Sequence, residues 1–153
     1  MNTFINPFCI SAFVICKNLK KTPYLLIRRC SAYLPGTWQM VSGGVHEGEK
    51  TWETALREIK EETGLVPTSI YSADAIETFY YPPKDAVVFV PVFVATVDNP
   101  GHVALSPNEH DAYEWVSLDE ALNRLVWAEQ RRVIKHIHDL FVLREPNKLL
   151  KIF

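Results

Sequence analysis

The alternation of apolar and polar positions divides the chain into a series of strands broken once in the middle by a helix. An apolar, β-branched run at residues 8–16 predicts a strand. Polar residues 18–22 ahead of Pro23 predict a turn, and residues 24–29 a second strand, so the two read as a hairpin. Residues 30–37 form a loop marked by Pro35 and Gly36, and residues 38–42 a short strand running into Gly43-Gly44. From Thr51 the period changes. Trp52, Ala55, Leu56 and Ile59 fall at i, i+3, i+4 and i+7, the stripe of an amphipathic helix, and Gly64 is its expected stop. Strands follow at 70–81, closed by Pro82-Pro83, and at 86–97, which is almost wholly apolar and therefore central. Pro91 inside that run points to a bulge or an edge. A turn at 99–101 and a short strand at 112–116 lead to Ser117-Leu118-Asp119-Glu120, a capping box opening a second helix. A third helix carries Val133, Ile134, Ile137, Leu140 and Phe141 on one face. The expected architecture is an α/β sandwich on a mixed sheet, one domain spanning 1–153, with no repeat or linker.

Composition narrows the class. With 48% apolar and 22% charged residues the chain is an ordinary globular sequence, which excludes intrinsic disorder. A formal net charge of -2 argues against a large nucleic-acid footprint. Cys9, Cys16 and Cys30 lie in apolar stretches without CxxC or Cys/His spacing. They read as small buried hydrophobes in a protein of the reducing cytoplasm, not as a zinc site or disulfide framework. No apolar run is long enough to cross a bilayer, and the N-terminus has no signal-peptide pattern, so no membrane partner is expected.

The near-neutral total hides a local concentration. Residues 47–62 hold six Glu (Glu47, Glu49, Glu53, Glu58, Glu61, Glu62) and three Lys or Arg, a local charge of -3, while the other residues sum to +1. At about 100° per residue, with Trp52 at zero, the apolar stripe centres near roughly 350°, and Glu58, Glu61 and Glu62 lie near about 240°, 180° and 280°. They share one acidic side of the helix. Like charges at i, i+3 and i, i+4 repel by a few tenths of a kcal/mol per pair. Hard divalent cations, which take oxygen ligands and keep water for substrate phosphates, are the natural compensation. Gly43-Gly44, just before, let the backbone make a tight turn or approach a ligand closely.

Residues 43–65 read GGVHEGEKTWETALREIKEETGL. Gly43, Glu49, Arg57, Glu58, Ile59, Glu61, Glu62, Gly64 and Leu65 stand at the spacing of the Nudix box, which the segment resembles at every specified position. The resemblance implies a Nudix-type α/β/α sandwich with a mixed β-sheet. It also implies hydrolysis of a nucleoside diphosphate linked to another group, with Mg²⁺ or Mn²⁺ as cofactor. It places Glu58, Glu61 and Glu62 as metal ligands and Arg57 as the residue orienting a box glutamate, Glu49. Gly43 and Gly44 become backbone contacts near metal or phosphates. The expected chemistry is in-line attack of water on phosphorus with a carboxylate taking the proton. Glu58 or Glu61 could be that base, as could Glu109, in the loop before the 112–116 strand, where family members often carry an extra ligand or base.

The flanking segments bear on the substrate. WQMVSGGVHEGE has Ser42 where a proline is common, and with EHDAYEW, WVSLDEAL and WAEQRR it resembles bacterial dATP / dihydroneopterin triphosphate pyrophosphohydrolases. These release pyrophosphate from a nucleotide or pterin triphosphate. Tyr80 and Tyr81 fall 15 and 16 residues after Leu65, near a spacing associated with diadenosine polyphosphate hydrolysis; ADP-ribose and RNA 5′ ends are further alternatives, and a nucleotide-sensing module without catalysis is the alternative outside enzymes. Substrate-contact candidates are Arg28 and Arg29 for phosphate and Tyr33, Trp38, Phe79, Tyr81 and Trp127 for stacking on a base or pterin. His46 is expected to be exposed and non-catalytic, and His136 and His138 to be surface residues. Many relatives are dimers, so a homodimer is admitted.

Overall fold

A computed structural model describes residues 4–153. Three α-helices and, all in one sheet, seven strands follow in the order β1 (Cys9–Cys16), β2 (Tyr24–Arg29), β3 (Trp38–Gln39), β4 (Val41–Gly44), α1 (Thr51–Thr63), β5 (Ser69–Tyr81), β6 (Ala86–Val97), β7 (His110–Val116), α2 (Leu118–Arg124) and α3 (Ala128–Ile137). The strands form one mixed sheet in the order β3-β2-β1-β6-β5, with β4 on β1 and β7 on β2. The β1–β6 pair is parallel and the other pairs are antiparallel.

β1 is the centre of the sheet and is buried on both faces, which is why it reads as a continuous apolar run. Its side chains alternate. Ile10, Ala12, Val14 and Cys16 pack with Ala55 and Ile59 of α1. Phe13 and Ile15 pack on the other face with Ala121 of α2 and Val133, Ile134 and Ile137 of α3. The result is helix, sheet and helix in three layers, the Nudix-type sandwich expected from the sequence.

The expected 38–42 strand divides. Residues 38–39 pair with β2 and residues 41–44 with β1, so this one run crosses from strand to strand at Met40. Gly43 and Gly44 therefore make no turn; they are extended residues of β4, opposite Ile10 and Cys9. The strand foreseen at 112–116 starts two residues earlier, at His110, opposite Arg29, where β2 carries a register shift between Arg28 and Arg29. Pro91 is accommodated as the pattern required. β6 pairs with β1 only from Val92 onward, and β5 bulges between Ser72 and Ile76 opposite Pro91, with Asp74 at φ 55°. The third helix is shorter than its apolar pattern: α3 ends at Ile137, and Leu140 and Phe141 lie in a π-helical turn, His138–Val142.

Two helix ends follow their sequence signals. The Ser117 hydroxyl accepts from the Glu120 N–H, capping α2. Gly64 closes α1 at φ 73°, its N–H donating to the Lys60 carbonyl. A Cβ there would also stand 3.2 Å from the Ala104 Cβ, whereas at Gly36, φ 82°, nothing lies within 4 Å. Gly64→Ala is expected to lower stability by about 1–2 kcal/mol, and Gly36→Ala by less, in urea unfolding. Equal losses would mean that the Ala104 contact adds nothing.

Candidate active site at the acidic end of the first helix

Burial of Glu58, Glu61 and Glu62 follows their angular distance from the apolar stripe. Glu62, about 70° away, is 4% exposed. Glu58, about 110° away, keeps 12% of its side chain exposed, and Glu61, on the far side, 57%. The three carboxylates thus occupy three environments rather than one solvated face.

Arg57 joins most of the acidic groups around it. Its Nε and Nη2 donate to Glu49 at 2.8 and 3.1 Å, Nη1 to Glu58 at 2.8 Å and to Glu61 at 3.2 Å, and Nη2 to the Gly44 carbonyl at 2.8 Å. Only the fork of a guanidinium spans such a set. Glu49 also accepts from the Thr54 hydroxyl, and the Arg57 and Thr54 bonds hold its carboxyl down to about 2. Glu58 is pushed the other way by burial, with Arg57 opposing. Gly43 makes room for it: a Cβ on Gly43 would overlap the Glu58 carboxyl group. The close approach that this glycine permits is to a side chain of the same protein.

Glu62 lies beyond the reach of Arg57. It accepts a bond from the Ser42 backbone, but its Oε2 is buried without a partner among the described residues. Burial first, then the charges of Glu58 and Glu109, push its carboxyl up to about 9. Glu109 is exposed in the turn before β7, where its N–H and that of His110 both donate to the Ser106 carbonyl. Its own carbonyl accepts from Cys30. His110 is 2% exposed, and its Nδ1 is also without a partner among the described residues. Burial, then the charge of Arg29, lowers its imidazole to about 4. One ligand atom each from Glu62, Glu109 and His110 lie within 4.8 Å of one another. An oxygen-rich group of this kind suits a divalent ion, and the partnerless Glu62 oxygen is what such an ion would satisfy.

Comparison with known proteins shows the family. Residues 7–137 match the NUDIX domain model. The chain belongs to the NUDIX family. It is 31% identical over 116 residues to the asymmetrical bis(5′-nucleosyl)-tetraphosphatase of Caenorhabditis elegans, covering 75% of this chain and 82% of that protein. Its fold superposes on a C. elegans Ap4A hydrolase binary complex with a TM-score of 0.73 at 27% identity, over 89% of this chain and 98% of that one. The dihydroneopterin triphosphate pyrophosphohydrolase of E. coli has the same fold, with a TM-score of 0.71 at 22% identity over 88% and 96%. This chain is thus a Nudix hydrolase, and α1 is its box helix.

The other residues singled out in the sequence are scattered around this Nudix site. Arg29 is the cation felt by both Glu62 and His110, and its Nε donates to the Tyr33 carbonyl. Arg28 turns to Asp111 at 2.8 Å. The Trp38 ring lies under the guanidinium groups of Arg28 and Arg124, at 5.8 and 4.6 Å, so its aromatic surface is already engaged. Phe79 and Tyr81 are exposed at the far end of the β5–β6 hairpin, and Trp127 at the start of α3. His46 is exposed. His136 and His138 are part-buried rather than surface residues: His136 Nε2 bonds the Ala73 carbonyl and His138 Nδ1 the Tyr24 hydroxyl, since the face of α3 and the turn after it that carries them packs on the sheet. Two buried ionisable residues escaped the sequence reading, His110 and Glu77. His110 could have been found by its place beside Glu109 at a strand start. Glu77 sits within a strand and only its alternation with exposed neighbours marks it. No described helix is long and apolar enough to cross a membrane.

Gly43→Ala is expected to displace the Glu58 carboxylate and reduce hydrolysis about 100-fold while circular dichroism stays unchanged; retained activity would show that Glu58 need not lie against β4. A pH dependence follows as well. Above pH 6.5 the unfolded chain has lost the protons that Glu62, held up to about 9, and Glu77, held up to about 7, still carry when folded. Stability in EDTA should therefore fall as pH rises, by on the order of 1 kcal/mol per pH unit per group, the Glu77 share ending near pH 7 and the Glu62 share continuing toward 9. Thermal unfolding should show the slope, and Glu62→Gln should flatten it above pH 7.5. A slope unchanged by that substitution would place the effect elsewhere.

Proposed function

We propose that this Nudix hydrolase cleaves the polyphosphate chain of a dinucleoside tetraphosphate asymmetrically, leaving a mononucleotide and a nucleoside triphosphate. The observation that carries the hydrolytic reading is the buried Glu62 carboxyl with a partnerless oxygen, set beside Glu109 and flanked by Glu58. Support for the tetraphosphate comes from the 31% identity to the C. elegans tetraphosphatase over 82% of its length. Exposed Phe79, Tyr80 and Tyr81 on the β5–β6 hairpin offer aromatic surface to an adenine. A nucleoside or pterin triphosphate releasing pyrophosphate is the second reading, favoured by the EHDAYEW and WVSLDEAL segments.

Glu58, Glu61, Glu62 and Glu109 would hold Mg²⁺ or Mn²⁺. Such an ion neutralises phosphate charge and acidifies a bound water. The chain's own groups do the rest. Arg57 fixes Glu49 and Glu58 and shields their mutual repulsion. Arg29 adds positive charge on the side of Glu62 and His110, where an anionic substrate benefits from it. Glu109 is exposed and tied to no guanidinium among the described residues, so with one carboxylate oxygen on the ion the other could take the proton of the attacking water.

Incubation with diadenosine tetraphosphate, dATP and dihydroneopterin triphosphate, each with Mg²⁺ or Mn²⁺, separates the readings by product. AMP with ATP is expected from the first substrate, at higher kcat/KM than release of pyrophosphate from the others. The reverse ranking selects the triphosphate reading, and no divalent-dependent turnover of any sinks both. Glu109→Gln should lower kcat by about 10²–10⁴-fold.

A further inference from the structure

The buried side chains of the described residues leave three polar atoms without a hydrogen-bond partner, and two of them, Glu62 Oε2 and His110 Nδ1, belong to one group of residues. No hydrogen bond joins Glu62 to His110 directly, yet ligand atoms of Glu62, Glu109 and His110 lie within 4.8 Å of one another. A cation bonded to each at about 2.0–2.3 Å spans nearly that spread. The third member differs in kind from the carboxylates of the box, because it is an imidazole. We infer that His110 is a ligand of one of the divalent cations, and that its nitrogen makes this a site for a first-row transition ion in preference to Mg²⁺.

The protein builds this ligand before any ion arrives. The His110 backbone is fixed by pairing with Arg29 across the register shift in β2 and by its bond to the Ser106 carbonyl. The Gln39 side chain lies 3.4 Å from Nε2 and orients the ring. Glu109 is fixed by the same turn, and Glu62 by α1 and the Ser42 backbone. A histidine sealed from solvent with an open ring nitrogen carries a desolvation cost that a hydrogen-bonded core histidine does not. Its place beside two carboxylates fits this arrangement, since an ion held by Glu62, Glu109 and His110 could supply bonds that buried atoms of Glu62 and His110 lack. Mg²⁺ demands oxygen ligands and dehydrates reluctantly, whereas Mn²⁺, Fe²⁺, Co²⁺ and Zn²⁺ accept imidazole. The inference rests on the metal-dependent hydrolase reading but concerns which ion is held, so it is tested by binding.

Metal-free full-length protein would be titrated with Co²⁺, followed by visible absorption, and separately with Mg²⁺ by calorimetry. Oxygen-only sites also favour Co²⁺ over Mg²⁺, so the decisive quantity is the ratio of the two affinities in wild type and in His110→Gln. The substitution is expected to weaken Co²⁺ about 10–100-fold and to alter its spectrum, while Mg²⁺ affinity changes less than about threefold. An unchanged Co²⁺ spectrum, or equal weakening of both ions, overturns the inference. A second measurement needs no variant: in Zn²⁺-loaded wild type, one ring ¹⁵N resonance of His110 should shift while those of His46 and His102 stay in place. An unmoved His110 nitrogen overturns the inference even if turnover is seen with Mg²⁺. Nitrogen ligation without turnover in the substrate panel supports it and sinks the hydrolase reading alone.

Discussion

The acidic end of α1 can exist because one guanidinium lies within it. Two carboxylates about 4 Å apart repel by roughly 4 kcal/mol at the effective dielectric of a protein surface. Glu49, Glu58 and Glu61 all converge on Arg57, which also holds the Gly44 carbonyl and so ties the helix to β4. Arg57 neutralises one charge, so the cluster stays anionic. It also leaves Glu62 untouched, on the side facing β7. The carboxylates are thereby divided into those that the protein satisfies by itself and one whose outer oxygen it leaves open.

The sheet supplies the other half of the arrangement. The 38–44 run crosses from β2 to β1 and brings Ser42 and Gly43 under α1, while β7 on the opposite edge of β2 brings Glu109 and His110 to the same end. The register shift at Arg28 and Arg29 sets which of the two arginines acts on this cluster: Arg29 acts on Glu62 and His110, and Arg28 pairs outward with Asp111. Sheet irregularities near functional groups commonly re-aim side chains in this way. Fold and site are linked through backbone position, and few of these side chains touch the core.

Much of this was legible in the sequence where a periodic signal existed. The stripe of α1 gave the helix and its stop at Gly64, while Glu58, Glu61 and Glu62 read as one acidic side although they differ widely in burial. The proline in β6 correctly marked the place where pairing breaks. What could not be read depended on contacts between distant segments. Gly43 looks like a turn residue until the Glu58 carboxyl is seen to occupy the space of its missing Cβ. Trp38 looks like a stacking platform until Arg124, far along the chain, is found on its ring. His110 is one of five histidines with nothing local to distinguish it, and only the β2–β7 register buries it beside Glu62.

Keeping a carboxyl and an imidazole buried with open valences works against stability, since each such group costs about 1–3 kcal/mol or more relative to a satisfied one. A core built for stability alone would place apolar residues there. The two large apolar clusters on either face of β1 supply the excess that tolerates this cost. The cost also has a direction: whatever supplies the missing bonds binds the folded chain and not the unfolded one, so occupancy of the site and stability of the fold rise together. On the proposed metal-dependent reading, the same open atoms would be those that give the chain affinity for a cation, and the near-neutral net charge would be compatible with a phosphate substrate because the positive charge would come with the ion.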